Sequence, residues 1–350
     1  MATESILQFI PIPVDVRDIN IKHREDGTID LGDSSIGLAK RAQAQGTEYA
    51  DLLERISPHV LKHPVGASVR IELGVGQSFR AERYRCRGGV MTAMRRMPEK
   101  MPAIDDLNFP HLWRDLFMAE DFCTGGLIVV VAPTGSGKSV TLGALGTSRL
   151  ARYGGYMTTI EDPIEMPLHG WHGAGKCVQT EVDPHDDPSE AYVKALRAAL
   201  RAYPTAPGGG TILLFGEIRD QASAAEVLRA ANQGHLVLTT LHGSTIESAL
   251  RRLISMATRD LGQSQAQDLT AAALRLIVTQ KLHIDPEKSG WDAGTLTGEL
   301  LYSSGEKSPA AGNIRDNDLG ALAEQLDQQG SFMARVDRPS LADFLKRFRR

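Results

Sequence analysis

The sequence contains few cysteines and no long apolar run, and each shortage excludes a class of protein. Its three cysteines, Cys86, Cys123 and Cys177, have no paired spacing, which excludes both a disulfide framework and a zinc site of four cysteines. No apolar run approaches the ~20 residues that span a bilayer. The first residues also lack the basic and apolar segments of a signal peptide. We therefore expect a protein of a reducing cytosol that, if it acts at a membrane, does so from one side without spanning it.

The chain also lacks an excess of positive charge. Its formal net charge is -4, and its contents of 42% hydrophobic and 23% charged residues are those of an ordinary soluble protein. Binding of nucleic acid through its phosphates requires a basic face, so we expect no stable nucleic-acid binding unless a local patch provides one. A length of 350 residues leaves room for two domains.

Residues 126–141, GLIVVVAPTGSGKSVT, predict a buried strand at 127–131 that runs into a phosphate-binding loop and then a helix to about Arg152. Gly135 and Gly137 allow backbone N–H groups to approach phosphate oxygens. Lys138 would reach the β- and γ-phosphates of ATP, and the Ser139 hydroxyl would bind Mg²⁺. The predicted nucleotide-binding residues are Ala132, Pro133, Thr134, Gly135, Ser136, Gly137, Lys138, Ser139 and Val140.

A Gly/Ser-rich turn that carries a lysine by chance is the alternative interpretation of this loop. The strand in front of the loop and the helix behind it favour the phosphate site, because this context is what the phosphate-binding function requires.

The remainder of the chain indicates two domains. Residues 1–104 predict a small α+β domain with strands near 14–22, 69–75 and 79–84, and residues 33–35 could cap a helix near Ile36. Three prolines in residues 95–110 indicate a linker, and we place the boundary near residue 105. In residues 105–350 apolar strands alternate with helical patterns, which predicts a parallel sheet with crossover helices. Ser244 and Glu247 match a capping box.

Acidic residues and a histidine follow three of the predicted strands. Glu161 and Asp162 follow strand 156–160, Glu217 follows strand 211–215, and His242 follows strand 236–240. Any one of these side chains, taken alone, could be an ordinary solvated residue at the end of a strand. Parallel sheets bind ligands outside the carboxyl ends of their strands, so their repeated placement beside a phosphate loop predicts a functional site.

Four motifs, in order and in spacing, resemble those of the motor ATPases that serve type II secretion, type IV pili and type IV secretion. They are the Walker A loop APTGSGKS, the Asp box TTIEDPIE, the atypical Walker B strand ILLFGEIRD and the His box GHLVLTTLH. The segments SFRAERY and MRRMP are similar to the family's FR motif and R-x-x-P turn. The resemblance covers residues from about 14 to 300.

The resemblance implies a homo-hexameric ring with an N-terminal PAS-like domain, a C-terminal RecA-like P-loop motor domain, and ATP and Mg²⁺ as cofactors. It implies a general base at Glu217, a carboxylate near Mg²⁺ at Glu161, and residues that sense the nucleotide state at His242 and His235. It further implies that Arg80 and Arg95 reach a phosphate.

The resemblance also implies partners, which are inner-membrane and cytoplasmic components of a secretion or pilus machine at the cytoplasmic face of the inner membrane. The lack of a zinc module resembles pilus-retraction motors (PilT-like) and Dot/Icm or conjugative-transfer motors (DotB-like). Residues 102–110 and 250–257 favour the second group. A nucleotide-gated structural ring and a nucleic-acid translocase are the alternatives from other functional classes.

Two weaker patterns receive ordinary interpretations. We interpret the glycine-rich stretch that contains His169, His172, Cys177 and His185 as a surface loop, because its spacing matches no standard metal site. A C-terminal apolar stripe predicts a helix that packs on its own domain in preference to a membrane contact. Its residues are Leu341, Phe344, Leu345 and Phe348.

Overall fold

The structure is a computed structural model in which two units each form a compact body. It describes residues 12, 16, 18–37, 41–43, 47, 49–66, 68–74, 77–182, 190–202, 211–285, 287–288 and 290–349. The first unit comprises Met1–Lys100 together with Asp162–Pro167. The second comprises Met101–Glu161 and Leu168–Arg350, so it begins four residues before the expected boundary.

The first unit is an antiparallel sheet with one helix. Its strands, in the order β3-β2-β1-β6-β5-β4, are β1 (Asp18–His23), β2 (Ser35–Gly37), β3 (Arg41–Gln43), β4 (Ser68–Glu72), β5 (Ser78–Cys86) and β6 (Gly89–Arg96). The helix α1 (Tyr49–Leu61) buries Leu53, Ile56 and Val60 in the same core as the strand residues. This is the α+β organisation that the alternating apolar residues predicted.

The helix that we predicted near Ile36 is wrong. Ile36 lies in β2, opposite Ile19 of β1, and is fully buried. Burial of this apolar side chain between two strands outweighs the local capping signal of residues 33–35, because tertiary packing overrides weak local propensity.

The second unit contains an eight-stranded, mostly parallel sheet. Its strands are β7 (Gly126–Val131), β8 (Gly155–Glu161), β9 (Gly170–His172), β10 (Gly175–Glu181), β11 (Thr211–Phe215), β12 (Leu236–Leu241), β13 (Leu274–Thr279) and β16 (Leu300–Tyr302). Their order is β16-β13-β7-β12-β11-β8-β10-β9. The two edge strands are antiparallel to their neighbours and the rest are parallel. A separate hairpin consists of β14 (Lys281–Ile284) and β15 (Gly294–Thr297).

Helices cover both faces of this sheet. They are α2 (Trp113–Phe117), α3 (Lys138–Tyr153), α4 (Ala191–Ala202), α5 (Gln221–Asn232), α6 (Ile246–Leu261), α7 (Gln263–Ala273), α8 (Pro309–Arg315), α9 (Leu322–Met333) and α10 (Leu341–Phe348). Every residue of β7 and β12 is buried, which is the condition that favours continuous apolar runs in parallel strands. Gly146 lets α3 lie close to the sheet, since a Cβ there would meet the Met157 sulfur at 2.5 Å.

The two weaker sequence patterns have different outcomes. The glycine-rich stretch forms the hairpin β9–β10, so its interpretation as a surface loop is wrong; His185 lies outside the described residues. Cys177 is buried in β10, and this burial raises the pKa of its thiol to about 12. The C-terminal stripe packs on its own unit as predicted, with Phe344 fully buried against Tyr302. No helix in the described ranges is long and apolar enough to cross a bilayer.

Candidate functional site

The loop between β7 and α3 has the backbone of an anion-binding site. Gly135 and Gly137 both have φ of +82°, a conformation that strains any residue with a Cβ. Gly137 is the N-cap of α3, and no side chain caps the helix there. Ser139 and Val140 occupy the first turn of α3. The first amide groups and the positive end of the helix dipole are therefore available to a phosphate.

Lys138 folds back over this loop. Its Nζ donates hydrogen bonds to the carbonyl oxygens of Ala132, at 2.8 Å, and Pro133, at 2.9 Å. Within the described part of the chain Lys138 makes no ion pair. Burial lowers the pKa of its ammonium group, and the negative charge of Glu217 acts in the opposite direction. Lys138 thus holds only neutral acceptors, which it can exchange for phosphate oxygens.

Glu217 lies in the segment after β11, and hydrogen bonds to β8 and β12, the strands on either side of β11, hold this segment in place. The Gly216 N–H donates to the Ile160 carbonyl of β8 at 3.3 Å, and the Ile218 N–H donates to the Thr240 carbonyl of β12 at 3.2 Å. The Thr240 hydroxyl also donates to the Gly216 carbonyl at 2.8 Å. The backbone on each side of Glu217 is therefore held at the carboxyl edge of the sheet.

The Glu217 carboxylate has two close polar neighbours. His242 Nε2 lies 3.1 Å from Oε1, and Arg219 Nε donates to Oε2 at 3.0 Å. Arg252, on α6, donates to the His242 carbonyl at 3.4 Å. The structure therefore brings together Glu217 and His242, as the positions of their strands predicted, and it adds Arg219, which the sequence analysis did not assign.

Glu161 ends β8 and is oriented by two side chains. The Thr159 hydroxyl donates to Glu161 Oε1 at 2.6 Å, and Gln179 Nε2 donates to the same oxygen at 2.8 Å. In the sheet β12 and β11 separate β8 from β7, so Glu161 ends a strand ~14 Å from the strand that feeds the loop with Ser139. Glu217 follows the strand next to β8, which makes it the nearer carboxylate to the loop.

The donors at this edge suit Mg²⁺ better than a transition metal. Mg²⁺ keeps several waters and takes one or two protein oxygens together with nucleotide phosphates, and the Ser139 hydroxyl and the Glu161 carboxylate offer such oxygens. In the residues with described coordinates no three His, Cys, Asp or Glu side chains cluster as a metal site.

Gln280 also belongs to this site, and the sequence analysis missed it. It directly follows β13, the strand beside β7, and its side chain contacts both the loop and α3. The signal was available, because a polar residue after an apolar strand is the pattern that identified Glu217 and His242. Gln179 gave no such signal, since it lies inside a strand.

His235 does not join the site. It precedes β12, and its carbonyl accepts a hydrogen bond from Gly126, the first residue of β7, at 3.0 Å. It therefore lies at the amino-terminal edge of the sheet, about 23 Å from His242 along the direction of β12 at ~3.3 Å per residue. Its side chain is 4% exposed, and burial lowers the pKa of its imidazole.

Arg80 and Arg95 lie in the first unit. They are opposite each other on β5 and β6, so both side chains are on one face of that sheet. Arg80 donates to the carboxylate of Glu165, and Arg95 Nε donates to Asp18 Oδ1 at 2.9 Å. Both guanidinium groups thus have carboxylate partners within the first unit.

Comparison with known proteins identifies the family. Residues 17–291 match the family model of the type II/IV secretion system proteins. The chain belongs to this family. YggR of Escherichia coli (strain K12), described as an uncharacterized protein, is 31% identical over 247 residues, which cover 70% of this chain and 68% of YggR. The chain spans about half the length of three further curated relatives, and two of these are named as type IV pilus ATPases.

Solved structures show the same fold. The pilus retraction motor PilT with bound ADP superposes with a TM-score of 0.68 at 26% identity, covering 95% of this chain and 92% of PilT. The Legionella pneumophila ATPase DotB gives a TM-score of 0.62 at 21% identity, over 90% of this chain and 84% of DotB. The predicted fold class, a RecA-like P-loop domain with a mostly parallel sheet behind an N-terminal domain, is confirmed.

Proposed function

We propose that this secretion-system protein hydrolyses ATP, with Mg²⁺, as the motor of a machine that moves macromolecules across or along the cell envelope. The observation that carries the proposal is the fixed Glu217 carboxylate at the carboxyl edge of the sheet that also carries the phosphate loop. Glu217 is next to His242 and exerts a Coulombic effect on Lys138. The motif order and the family support the same reaction.

The residues of the loop bind the nucleotide in this proposal. The N–H groups of residues 134–140 contact phosphate oxygens, and Lys138 exchanges the carbonyls of Ala132 and Pro133 for the β- and γ-phosphates. Bound Mg²⁺ would offset the negative charge that develops during transfer. The Ser139 hydroxyl would hold the ion, and the Glu161 carboxylate would approach the ion from the end of β8, the strand beside the one that precedes Glu217.

Glu217 positions the attacking water and accepts its proton on a carboxylate oxygen. Arg219 and His242 each hold one oxygen of this carboxylate, which restricts its orientation before substrate arrives. Such preorganisation favours the transition state, because less rearrangement is needed during the reaction. His242 connects the carboxylate to α6 through Arg252, so a change at the γ-phosphate can be transmitted to that helix.

Replacement of Glu217 by Gln tests this proposal. We expect the variant to bind ATP normally while hydrolysis falls about a hundredfold or more, because a positioned base contributes about 10²–10⁴ to the rate. The measurements are steady-state phosphate release and equilibrium ATP binding. Glu226→Gln is the matched control, since Glu226 is also mostly buried and also pairs with arginines, but on α5 away from the loop. Unchanged turnover in Glu217→Gln would remove this residue from the role of base.

The same assay separates the alternatives from other classes. A nucleotide-gated structural ring would bind ATP with almost no turnover in the wild-type chain, and a nucleic-acid translocase would show turnover that DNA stimulates strongly. We expect turnover that is insensitive to DNA.

We further propose a homo-hexameric ring that works with inner-membrane and cytoplasmic components of a type IV secretion or conjugative-transfer system, at the cytoplasmic face of the inner membrane. Residues 102–110 and 250–257 support this machine. A pilus-retraction motor is the second candidate, and the likeness to PilT at 26% identity favours it. Deletion of the gene in its own host distinguishes the two, since loss of substrate transfer supports the first and accumulation of surface pili supports the second.

A further inference from the structure

Gln280 links the three parts of the phosphate site. Its backbone N–H donates to the Val131 carbonyl at the end of β7, at 2.9 Å. Its side-chain Nε2 donates to the Ser136 carbonyl in the loop at 2.6 Å, and its Oε1 accepts from the Thr141 hydroxyl in α3 at 2.9 Å. The residue is only 2% exposed, so these hydrogen bonds are sheltered from water.

The bond to the Ser136 carbonyl decides which way one peptide group of the loop faces. In a trans peptide the C=O and the following N–H point in opposite directions. Holding the Ser136 oxygen toward Gln280 therefore directs the Gly137 N–H to the other side of that peptide plane. Phosphate binding requires the loop N–H groups to face the ligand, and this requires their carbonyls to face away from it.

The loop needs such a restraint at this point. Gly135 and Gly137, on either side of Ser136, both lack a Cβ, so rotation of the intervening peptide groups meets little steric resistance. A Cβ on Gly137 would lie 3.4 Å from Gln280 Nε2 and 3.7 Å from the Leu282 Cδ2 atom, which are ordinary van der Waals contacts, so it is the φ of +82° that favours glycine at this position.

We propose that Gln280 is a positioning residue for nucleotide binding, which fixes the Ser136–Gly137 peptide so that its N–H faces the phosphates. The inference rests on the proposed function of the loop. A loop N–H contacts phosphate oxygens in the ground state and in the transition state alike. Loss of the restraint therefore raises Kd and KM for ATP, raises Kd for ADP as well, and changes kcat little.

Gln280→Leu tests the inference against a matched control. Gln329 is also a buried glutamine with two hydrogen bonds, accepting from the Tyr302 N–H at 2.8 Å and donating to the Tyr302 carbonyl at 3.0 Å. We expect Gln280→Leu to weaken binding of both ATP and ADP about tenfold or more, as loss of a buried hydrogen bond would. Gln329→Leu should lower the unfolding midpoint and leave both affinities unchanged. The measurements are titration calorimetry with ATP and ADP in Mg²⁺, steady-state kinetics and urea unfolding of the full chain.

Gln280→Glu adds a pH profile that a purely structural role would not produce. An ionised carboxylate cannot donate to the Ser136 carbonyl, whereas the protonated acid is nearly isosteric with glutamine and restores the donor. Burial raises the pKa of a carboxyl group. The affinity of this variant, relative to the wild type at the same pH, should therefore recover as the pH falls from about 8 to about 6. Gln280→Leu should show no recovery.

The outcomes separate this inference from the proposed function. Wild-type chain that binds ATP without hydrolysing it, together with weak binding by Gln280→Leu, supports the inference and contradicts the proposed function. Normal hydrolysis with unchanged affinity in Gln280→Leu overturns the inference alone, and so does an equal loss of affinity in Gln329→Leu. A wild-type chain that binds no nucleotide overturns both. If Gln280→Leu fails to fold, the pH profile of Gln280→Glu decides, and its absence overturns the inference.

Discussion

His235 is a buried residue of the His box whose effect we expect to be on stability. Its side chain is 4% exposed, burial lowers the pKa of its imidazole, and Nδ1 has no partner among the described atoms. The unfolded chain, with a histidine pKa of about 6.5, therefore binds a proton at a higher pH than the folded chain does. Stability from this residue is complete above about pH 6.5 and is lost as the pH falls below it.

Replacement of His235 by Gln should flatten this pH dependence. The free energy of unfolding of the wild type should fall between about pH 7 and pH 5.5, by at most about 1.4 kcal/mol per pH unit for each buried histidine. The variant should lose part of that slope. A further part comes from His23, because burial also lowers the pKa of its imidazole. His283→Gln, on exposed β14, is the control and should keep the wild-type slope. Urea unfolding at several pH values measures it; an unchanged slope in His235→Gln would contradict the assignment.

The sequence predicts residue types at the site better than it predicts what orients them. Glu217 and His242 were predictable because strand ends carry chemistry in parallel sheets. Their supports come from elsewhere in the chain, as with Gln280, which is 144 residues from Ser136 in sequence. The position of Gln280 after an apolar strand was a visible signal, but its partners were not, and Gln179, which lies inside a strand, is revealed only by its folded contact with Glu161.

Elements were predictable where burial on both faces leaves a plain signal. The strands predicted at 127–131, 156–160 and 236–240 each agree within one residue with β7, β8 and β12. The sequence failed where pairing decides the conformation. Ile36 is a strand residue because it is buried beside Ile19. Residues 175–181 form a strand because β10 pairs with β8 along its whole length. Neither partner is visible from local sequence.

The start of α6 provides a prediction at this scale. The sequence suggested a capping box at Ser244 and Glu247, but in the structure Thr245 is the N-cap, and its hydroxyl accepts from the Ser248 N–H at 3.1 Å. Thr245→Ala should lower the free energy of unfolding by about 1 kcal/mol, because a first-turn N–H loses its acceptor. Ser244→Ala should be neutral. Chemical denaturation of both variants checks this; a larger loss from Ser244→Ala would contradict the observed cap.

At the scale of the whole chain the sequence indicated two domains that divide near residue 105, four residues after the point at which the second unit begins. The second unit begins at Met101, and the reason is packing against α3. Ile104 is 2% exposed and its N–H donates to the Ser148 hydroxyl at 2.9 Å, while Met101 fills the space over Gly143. Residues 162–167 group with the first unit although they continue from β8. Composition alone marks residues 95–110 as a linker. It cannot show that Met101 and Ile104 pack against α3 or that residues 162–167 belong to the first unit.

The phosphate loop, residues 132–139, contains a single cationic side chain, that of Lys138. Phosphoryl transfer develops negative charge that arginines commonly stabilise. In the described part of the second unit Lys138 is the cation on the loop, and Arg219 is already paired with Glu217. We therefore propose that Arg80 and Arg95, which share one face of the first unit's sheet, exchange their carboxylate partners Glu165 and Asp18 for a nucleotide phosphate and complete the site of the same or a neighbouring subunit. Hydrolysis would then depend on the first unit, which is how turnover could be converted into motion.

A chain that begins at Met101 should fold and bind ATP but hydrolyse it far more slowly than the full chain, because it lacks both arginines. Starting at Met101 instead of residue 105 keeps the contacts of Met101 and Ile104 with α3.

Since truncation also removes the surroundings of residues 162–167, Arg80→Ala in the full chain is the sharper test. It should lower kcat with the fold intact, whereas Arg85→Ala, an exposed arginine on the opposite face of β5, should not. Partial recovery of activity when Arg80→Ala is mixed with Glu217→Gln would indicate that the arginine acts on a neighbouring subunit. A shortened chain as active as the full one would show that the motor needs no arginine from the first unit.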